Sequence, residues 1–595
     1  MITLGINAAF HDSAAAIVVD GITIAAAEEE RFSRIKHGKR PVPFSAWELP
    51  FNAIDFCLAE AGVTLAEVDH VAYSFDPREF LGDRAAMDAP VSLPLHPSHT
   101  PGDEWESPWD PLFAALIVNA PGQLADGAPH HLQQRFKGVS ESQLRSRWHF
   151  VNHHTCHQAS AFLAAPFARC AVMTLDGRGE HASTTYGLYR DDTYQSLGEV
   201  VMPHSLGMLY ERVTDHLGFL HSSDEYKVMA LAALGQPVHR EALLQHVRVG
   251  QDGSYAIGEV DLESLVGPKR QRGGELTQAH FDLTASLQVV LEETVLQLAT
   301  WLRETSGERN LAMAGGVALN CVMNAKLRDH GPFEHVWVQP AAGDAGTALG
   351  AALWVDARER AAGAAADASF GITRLAPRRW QMAHAYLGPE YDDDAIEHAL
   401  SWAKLPYRKL DGTEDIAATT ARLLADDKMI GWYQGRMEFG PRALGSRSIL
   451  ASPIHPDMQA RLNELKDRED FRPVAPAVLA EAAADWFEPA DANGGRSPFM
   501  LFVFGVKPGQ GERIPSACHT DKTARVQTVH ADSNPRFHAL LKAFEQITGV
   551  PVLVNTSFNV RGEPIVCTPR DAIEAFYSTP LDALVIGSFV VEKRP

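Results

Sequence analysis

Two stretches of this chain repeat one layout, and that repeat constrains the fold more than any other feature. Residues 2–30 read as strand, turn, strand, turn, strand: Ile-Thr-Leu-Gly-Ile-Asn, then Ala-Ala-Ala-Ile-Val-Val-Asp-Gly, then Ile-Thr-Ile-Ala-Ala-Ala-Glu-Glu-Glu. Residues 170–190 do the same with Cys-Ala-Val-Met-Thr-Leu, an Asp-Gly-Arg-Gly turn, and Ser-Thr-Thr-Tyr-Gly-Leu-Tyr. Short apolar runs punctuated by Asp-Gly turns are the signature of strands. The same hairpin occurring twice points to a duplicated α/β half-domain, although two hairpins can also resemble each other by chance. At 595 residues the chain exceeds the size at which one core keeps growing, so two or more domains are expected.

Composition excludes several classes. With 53 basic against 75 acidic side chains the net charge is −22, a surface that repels a phosphate backbone, so nucleic acid is not an expected partner. No apolar run approaches the roughly 20 residues that span a bilayer, so no membrane association is expected. The opening Met-Ile-Thr-Leu-Gly-Ile-Asn has no basic leader and reads as a first strand, not as a signal peptide. Six cysteines at 57, 156, 170, 321, 518 and 567 show no CxxC spacing, which fits a reducing, cytoplasmic setting.

Further along, residues 88–111 carry six prolines with Trp105 and Trp109, an irregular insertion long enough to be a binding loop. A helix is predicted at about 281–306, with Leu283, Leu287, Val290, Leu291 and Leu298 on one stripe and Gly307 as its stop. Leu-Ala-Met-Ala-Gly-Gly-Val-Ala-Leu-Asn-Cys then reads as a strand entering a Gly-Gly turn suited to close approach of a ligand. An Ala-rich stretch at 357–368 and the basic Arg374–Arg379 form a linker, and a second domain begins near 381.

His153 and His157 lie four apart before a small-residue, helix-compatible run, so both imidazoles reach one point. Such a pair alone is more often surface or packing. Asp176 ends the repeated strand and Asp344 sits in the small-residue turn Ala-Gly-Asp-Ala-Gly-Thr, and two imidazoles with two carboxylates suit a divalent transition metal. Positive charge gathers despite the acidic balance: Arg31, Arg34, Lys36, Lys39 and Arg40; Arg436, Arg442 and Arg447 among glycines; Lys466, Arg468 and Arg472; then Arg525 and Arg561. Arginine forks beside glycine turns bind phosphate or carboxylate. His11, in Ala-Ala-Phe-His-Asp-Ser-Ala, has the pKa to accept a proton from an alcohol near neutrality. It serves equally well as a turn residue beside Asp12 and Ser13.

Six motifs together resemble one family. Phe-His-Asp-Ser-Ala-Ala-Ala, Glu-Glu-Glu-Arg-Phe-Ser-Arg-Ile-Lys-His, His-His-Thr-Cys-His, Gly-Gly-Val-Ala-Leu-Asn-Cys, Gly-Arg-Met-Glu-Phe-Gly-Pro-Arg-Ala-Leu-Gly and Asn-Thr-Ser-Phe-Asn-Val-Arg-Gly-Glu-Pro-Ile resemble, in order, the O-carbamoyltransferases of nodulation-factor and antibiotic biosynthesis. The resemblance implies an α/β and α+β chain: a duplicated actin-like domain over 1–370 and a YrdC-like domain over 381–595. It implies that carbamoyl phosphate and ATP form carbamoyladenylate in the second domain, bound by Arg436, Arg442, Lys466, Met500, Arg525 and Arg561. The first domain would pass the carbamoyl group to an alcohol, with His11 as base and Lys36 assisting. His153, His157, Asp176 and Asp344 would hold a divalent metal, iron in the best-known relative. Gly177, Gly315, Gly316 and Asn320 would line the nucleotide, and Asp12, Asp224 and Glu225 would meet the acceptor. A labile carbamoyladenylate gains from an enclosed route between sites. The expected partner is a small-molecule alcohol, and a homodimer is compatible with such a chain. The competing reading is a threonylcarbamoyladenosine-type enzyme acting on tRNA, which the charge of −22 opposes.

Overall fold

The computed structural model describes residues 1–38, 49–81, 110–128, 135–361, 371–489 and 496–593. The Pro/Trp insertion lies outside them apart from the backbone of Asp110 and Pro111, as do Lys39, Arg40 and part of the Ala-rich linker. Two compact units emerge: Met1–Met202 with Ala312–Val317 and Ala341–Met382, and Pro203–Leu311 with Ala318–Pro340 and Ala383–Pro595. The expected linear division at 370/381 marks only the last crossing. The segments 203–311 and 318–340, assigned by sequence to the first domain, pack with the C-terminal part instead.

In the first unit the repeated layout is present as strands β1 (Ile2–Asn7), β2 (Ala14–Val19) and β3 (Ile22–Glu28), joined by β4 (His70–Tyr73) and β5 (Trp148–Phe150). Their order is β3-β2-β1-β4-β5, with β1 antiparallel to β2 and parallel to β4. A second set, β6 (Cys170–Leu175), β7 (Ala182–Arg190) and β8 (Thr193–Val201), is again an antiparallel meander, and Asn310–Ala314 lies beside β6. The order third, second, first, fourth therefore recurs. That recurrence is the structural form of the sequence repeat, in a mixed α/β fold.

Helix Ala345–Arg360 is buried over most of its length and packs on β1 and on helix His153–Phe162. Its small residues make this possible: a Cβ at Gly350 would lie 1.8 Å from the Cys156 carbonyl oxygen, so only glycine fits. The close approach brings Asp344, at the helix start, to the histidines.

The second unit centres on an eight-stranded mixed sheet. Its order is Arg408–Lys409, Phe589–Glu592, Ala583–Ile586, Ile430–Tyr433, Arg447–Ala451, Val552–Ser557, Ala475–Leu479 and Gln527–Val529. A three-stranded sheet, Phe487–Glu488, Val503–Val506 and Thr523–Arg525, accompanies it. The expected helix is Gln278–Ser306, with all five stripe residues buried and Gly307 closing it at φ 71°. All six cysteines are free thiols, and no helix among the described residues is long and apolar enough to cross a membrane.

Candidate functional site

Helix His153–Phe162 is started by its own sequence: the Asn152 side chain accepts the Thr155 amide at 2.9 Å. Glu180, from the turn after β6, adds a carboxylate that accepts the His153 and Asp76 amides at 2.9 and 2.7 Å. Burial pushes Glu180 up to about 7. No sequence signal singled out Glu180, because its partners are backbone amides distant in the chain.

On this frame the Nε2 atoms of His153 and His157 face each other at 3.1 Å. His153 Nε2 lies 3.5 Å from Asp176 Oδ2 and 3.6 Å from Asp344 Oδ1, and His157 Nε2 lies 3.7 Å from each. The four expected ligands thus converge, with one donor atom from each within 4.8 Å of the others. Bonds of roughly 2.0–2.2 Å to a single ion place neighbouring donors roughly 3–3.6 Å apart, so the set fits one first-row ion. The second nitrogen of His153 faces the Ser74 carbonyl at 3.2 Å, which fixes Nδ1–H and leaves Nε2 for the metal. His157 Nδ1 is buried without a hydrogen-bond partner among the described residues.

Burial, the largest single influence, pushes both histidines down. For His153, Asp344 and then Asp176 outweigh it; for His157, Asp176 and then Asp344 do. Both rings stand above their ordinary value, and both aspartates stand below theirs despite burial: Asp176 because His153 and His157 face it, Asp344 through His11 first and then His153 and His157. His154 is different. Burial drops it to about 3, its Nδ1 meets the Thr185 hydroxyl at 3.3 Å, and it is no ligand.

The glycine turn contributes directly. Gly316 donates its amide to Asp176 Oδ1 at 2.7 Å, and Gly315 adopts φ 97° with the Leu175 carbonyl 2.2 Å from where a Cβ would be. Gly177 follows Asp176 immediately. Asn320 is occupied otherwise: it caps helix Cys321–His330 through the Met323 amide and pairs with Gln288.

His11 Nε2 lies 3.7 Å from Asp344 Oδ2, which sets this residue at the margin of the metal candidate. Asp12 stands between two histidines, its oxygens 3.0 Å from His11 Nδ1 and 2.8 Å from His37 Nδ1. Any contact with an acceptor has to be made alongside them. Lys36 is in the same short turn as His37. Arg31, by contrast, is buried between Glu28 and Glu30 at 2.9 and 2.7 Å, so it is not available as an anion ligand.

The second unit gathers four guanidinium groups. Arg442 falls to about 9 through burial and then the Arg525 and Arg472 charges; Arg468 falls to about 9 through burial and then Arg472 and Arg525. Arg525 is lowered by burial, with Arg472 also opposing its charge. Arg442 Nε, Arg525 Nε and Arg468 Nη2 are buried without hydrogen-bond partners among the described residues. Arg472 lies over the Tyr226 ring at 4.6 Å. Glu469 Oε2 lies 3.8 Å from Arg472, and Arg468 Nε donates to Asn463 Oδ1 at 2.6 Å.

Lys466 is buried and donates to Ser557 O, Ser557 Oγ and Asn559 Oδ1 at 2.6–2.9 Å. Met500 is buried at φ 55°, an uncommon conformation for an unbranched apolar residue and a mark of local constraint. Asp224 and Glu225 begin helix Glu225–Ala232; Lys227 on that helix reaches Asp224 and Glu469 at 3.2 and 2.9 Å.

Two of the expected anion ligands stand apart from the arginine cluster. Arg561 is 60% exposed and paired with Asp467, itself 80% exposed, at 2.8 Å. Arg436 donates to the carbonyls of Leu387 and Gly388, because the chain returns there and leaves backbone acceptors to satisfy. Arg468 and Arg472, visible in sequence only as part of a basic cluster, lie with Arg442 and Arg525.

The family described as carbamoyltransferase N-terminus matches residues 2–80 and 132–353, and that described as carbamoyltransferase C-terminus matches residues 421–593. The chain is 37% identical to an uncharacterized protein of Synechocystis sp., covering 99% of this chain and 96% of that one. It is 38% identical to the nodulation protein NolNO of Sinorhizobium fredii, covering 99% and 80%. The nodulation protein NolO of Bradyrhizobium diazoefficiens is 39% identical over 75% of this chain and 79% of its own length. On the motifs, the converging site residues and matches that run nearly end to end, the chain belongs to the carbamoyltransferase family and is a carbamoyltransferase enzyme.

Proposed function

We propose that this enzyme is an ATP-dependent O-carbamoyltransferase acting on a hydroxyl of a small-molecule natural product. Carbamoyl phosphate is hydrolysed to carbamate and phosphate, and carbamate displaces pyrophosphate from ATP to give carbamoyladenylate. The acceptor alcohol then attacks the carbamoyl carbon, releasing AMP. Adenylation converts a poor electrophile into one with a good leaving group.

The observation that carries the first half is the cluster of Arg442, Arg468, Arg472 and Arg525, in which Arg442 Nε, Arg468 Nη2 and Arg525 Nε are buried without hydrogen-bond partners among the described residues. Guanidinium forks aimed at one place stabilise phosphoryl charge as it develops. Lys466, Met500 and, from the rim, Arg561 complete this YrdC-like site in our reading; Arg436 supports the loop instead.

The transfer half belongs to the duplicated, actin-like part of the chain. There His153, His157, Asp176 and Asp344 would hold a first-row divalent ion, for which we propose iron, and such an ion would supply positive charge against nucleotide phosphates. Gly177, Gly315 and Gly316 let the backbone approach that nucleotide. His11 Nε2 takes the acceptor proton, and Lys36 steadies the carbamoyl oxygen.

The test is to incubate protein with ATP, carbamoyl phosphate and a panel of alcohols while following pyrophosphate, AMP and carbamoylated product. Wild type should yield all three. His11→Asn should still release pyrophosphate but lose product formation by about 10²–10⁴-fold. Normal product formation by that variant would remove His11 from the chemistry.

A further inference from the structure

We propose that His37 is a positioning residue for the transfer step, acting through Asp12 to fix the orientation and tautomer of His11. This rests on the reading above in which His11 is the acceptor base. Asp12 carries one ring on each oxygen: His11 Nδ1 at 3.0 Å on Oδ2 and His37 Nδ1 at 2.8 Å on Oδ1. An ionised carboxylate only accepts, so both Nδ1 atoms donate. In neutral His11 the basic nitrogen is then Nε2, the atom that faces Asp344 at 3.7 Å, beyond hydrogen-bond length.

The second histidine has a mechanical purpose. One donor leaves the Asp12 carboxylate able to turn about its Cβ–Cγ bond; a donor on each oxygen fixes its plane. Supporting bonds of this kind hold a working imidazole in one tautomer and orientation.

The surrounding backbone is built to keep the pair in place. The Asp12 amide donates to the His37 carbonyl at 3.0 Å, and the His37 amide donates to Glu30 Oε2 at 2.7 Å. Glu30 is in turn bound by buried Arg31. From the other side, Asn7 Nδ2 donates to the carbonyls of His11 and Asp12, both at 3.1 Å, and Ser74 Oγ donates to Asn7 Oδ1 at 2.9 Å. Asp12 and His37 both adopt left-handed backbone, at φ 51° and 60°, an arrangement that persists only where neighbours enforce it.

The decisive comparison uses two substitutions at residue 37. His37→Gly removes the donor and suits the left-handed backbone, so a folding defect is not built in. His37→Asn places an amide N–H near the lost Nδ1–H and also tolerates that backbone. His37→Gly should lower kcat for transfer by about 10–100-fold, with little change in acceptor KM and normal pyrophosphate release. His37→Asn should restore most of the loss. Wild-type transfer by His37→Gly, or equal loss in both variants, overturns the proposal. So does a metal content that falls from two ions to one in His37→Gly, since Asp12, Glu30 and His37 would then be ligands themselves. If wild type carbamoylates no alcohol, the functional reading fails first. The ¹⁵N shifts of the His11 ring in zinc-loaded protein then judge His37: a bare Nε2 that becomes mixed in His37→Gly supports the coupling, and an unchanged ring overturns it.

Discussion

The His–Asp centre of the first unit and the arginine cluster of the second are incomplete in opposite ways. Around His153 and His157 two carboxylates face two imidazoles, so each ring is held above its ordinary pKa and each carboxyl below. A metal ion among the four side chains would balance the two carboxylates. Around Arg442, Arg468 and Arg525 the balance is reversed: burial and neighbouring guanidinium groups lower all three, and each has a buried nitrogen without a hydrogen-bond partner among the described residues. The first arrangement suits a cation, the second an anion. A single chain holding both suits a reaction in which one phosphorylated reagent is made and then spent.

The largest effect should come from removing a metal ligand. Purified without chelator, the enzyme should carry about one first-row ion per chain, and His153→Ala or His157→Ala should abolish it. Equal metal in wild type and both variants would dissolve one side of the contrast.

Next is the cation cluster. Arg525→Ala or Arg442→Ala should cut pyrophosphate release about ten- to a hundredfold, the equivalent of a charged hydrogen bond worth about 1.5–3 kcal/mol. Metal content should stay at the wild-type value.

Acidity sharpens the same contrast. The raised His153 and His157 stabilise metal-free protein fully below the ordinary histidine pKa of about 6.5, and that contribution is lost as pH rises through their raised values. Chelated enzyme should therefore melt at progressively lower temperature from about pH 6.5 upward, while metal-loaded enzyme holds level. A slope that survives in the His153→Gln, His157→Gln double variant would place its origin elsewhere.

The smallest effect is expected at Arg561, an exposed ion pair worth about 0–1 kcal/mol. Arg561→Ala should lose much less pyrophosphate release than Arg525→Ala, and an equal loss would return Arg561 to the centre of the anion site.

The sequence exposed what repeats locally. Strands with alternating turns, the 281–306 helix and the i, i+4 histidines all follow from short-range periodicity, and each is present. Asp176 and Asp344 were legible because small-residue turns after strands bring a chain close to a ligand. What stayed hidden depends on long-range closure. Glu180 caps a helix 27 residues away through backbone amides, and His37 reaches Asp12 across 25 residues. The arginines show the same limit: Arg436 and Arg442 are six apart in one glycine-rich run, yet one serves backbone carbonyls and the other joins the cluster. Residue type announces an anion site; only burial says which arginines form it. The grouping of 203–311 and 318–340 with the C-terminal part was equally unreadable, since no linker composition marks those crossings.

The most direct test follows both half-reactions and metal content in His153→Ala and Arg525→Ala side by side. The account predicts a crossed pattern. His153→Ala should lose metal and product but keep pyrophosphate release; Arg525→Ala should keep metal and lose pyrophosphate release. Loss of pyrophosphate release in both variants, with each still folded, would contradict two sites of opposite charge demand.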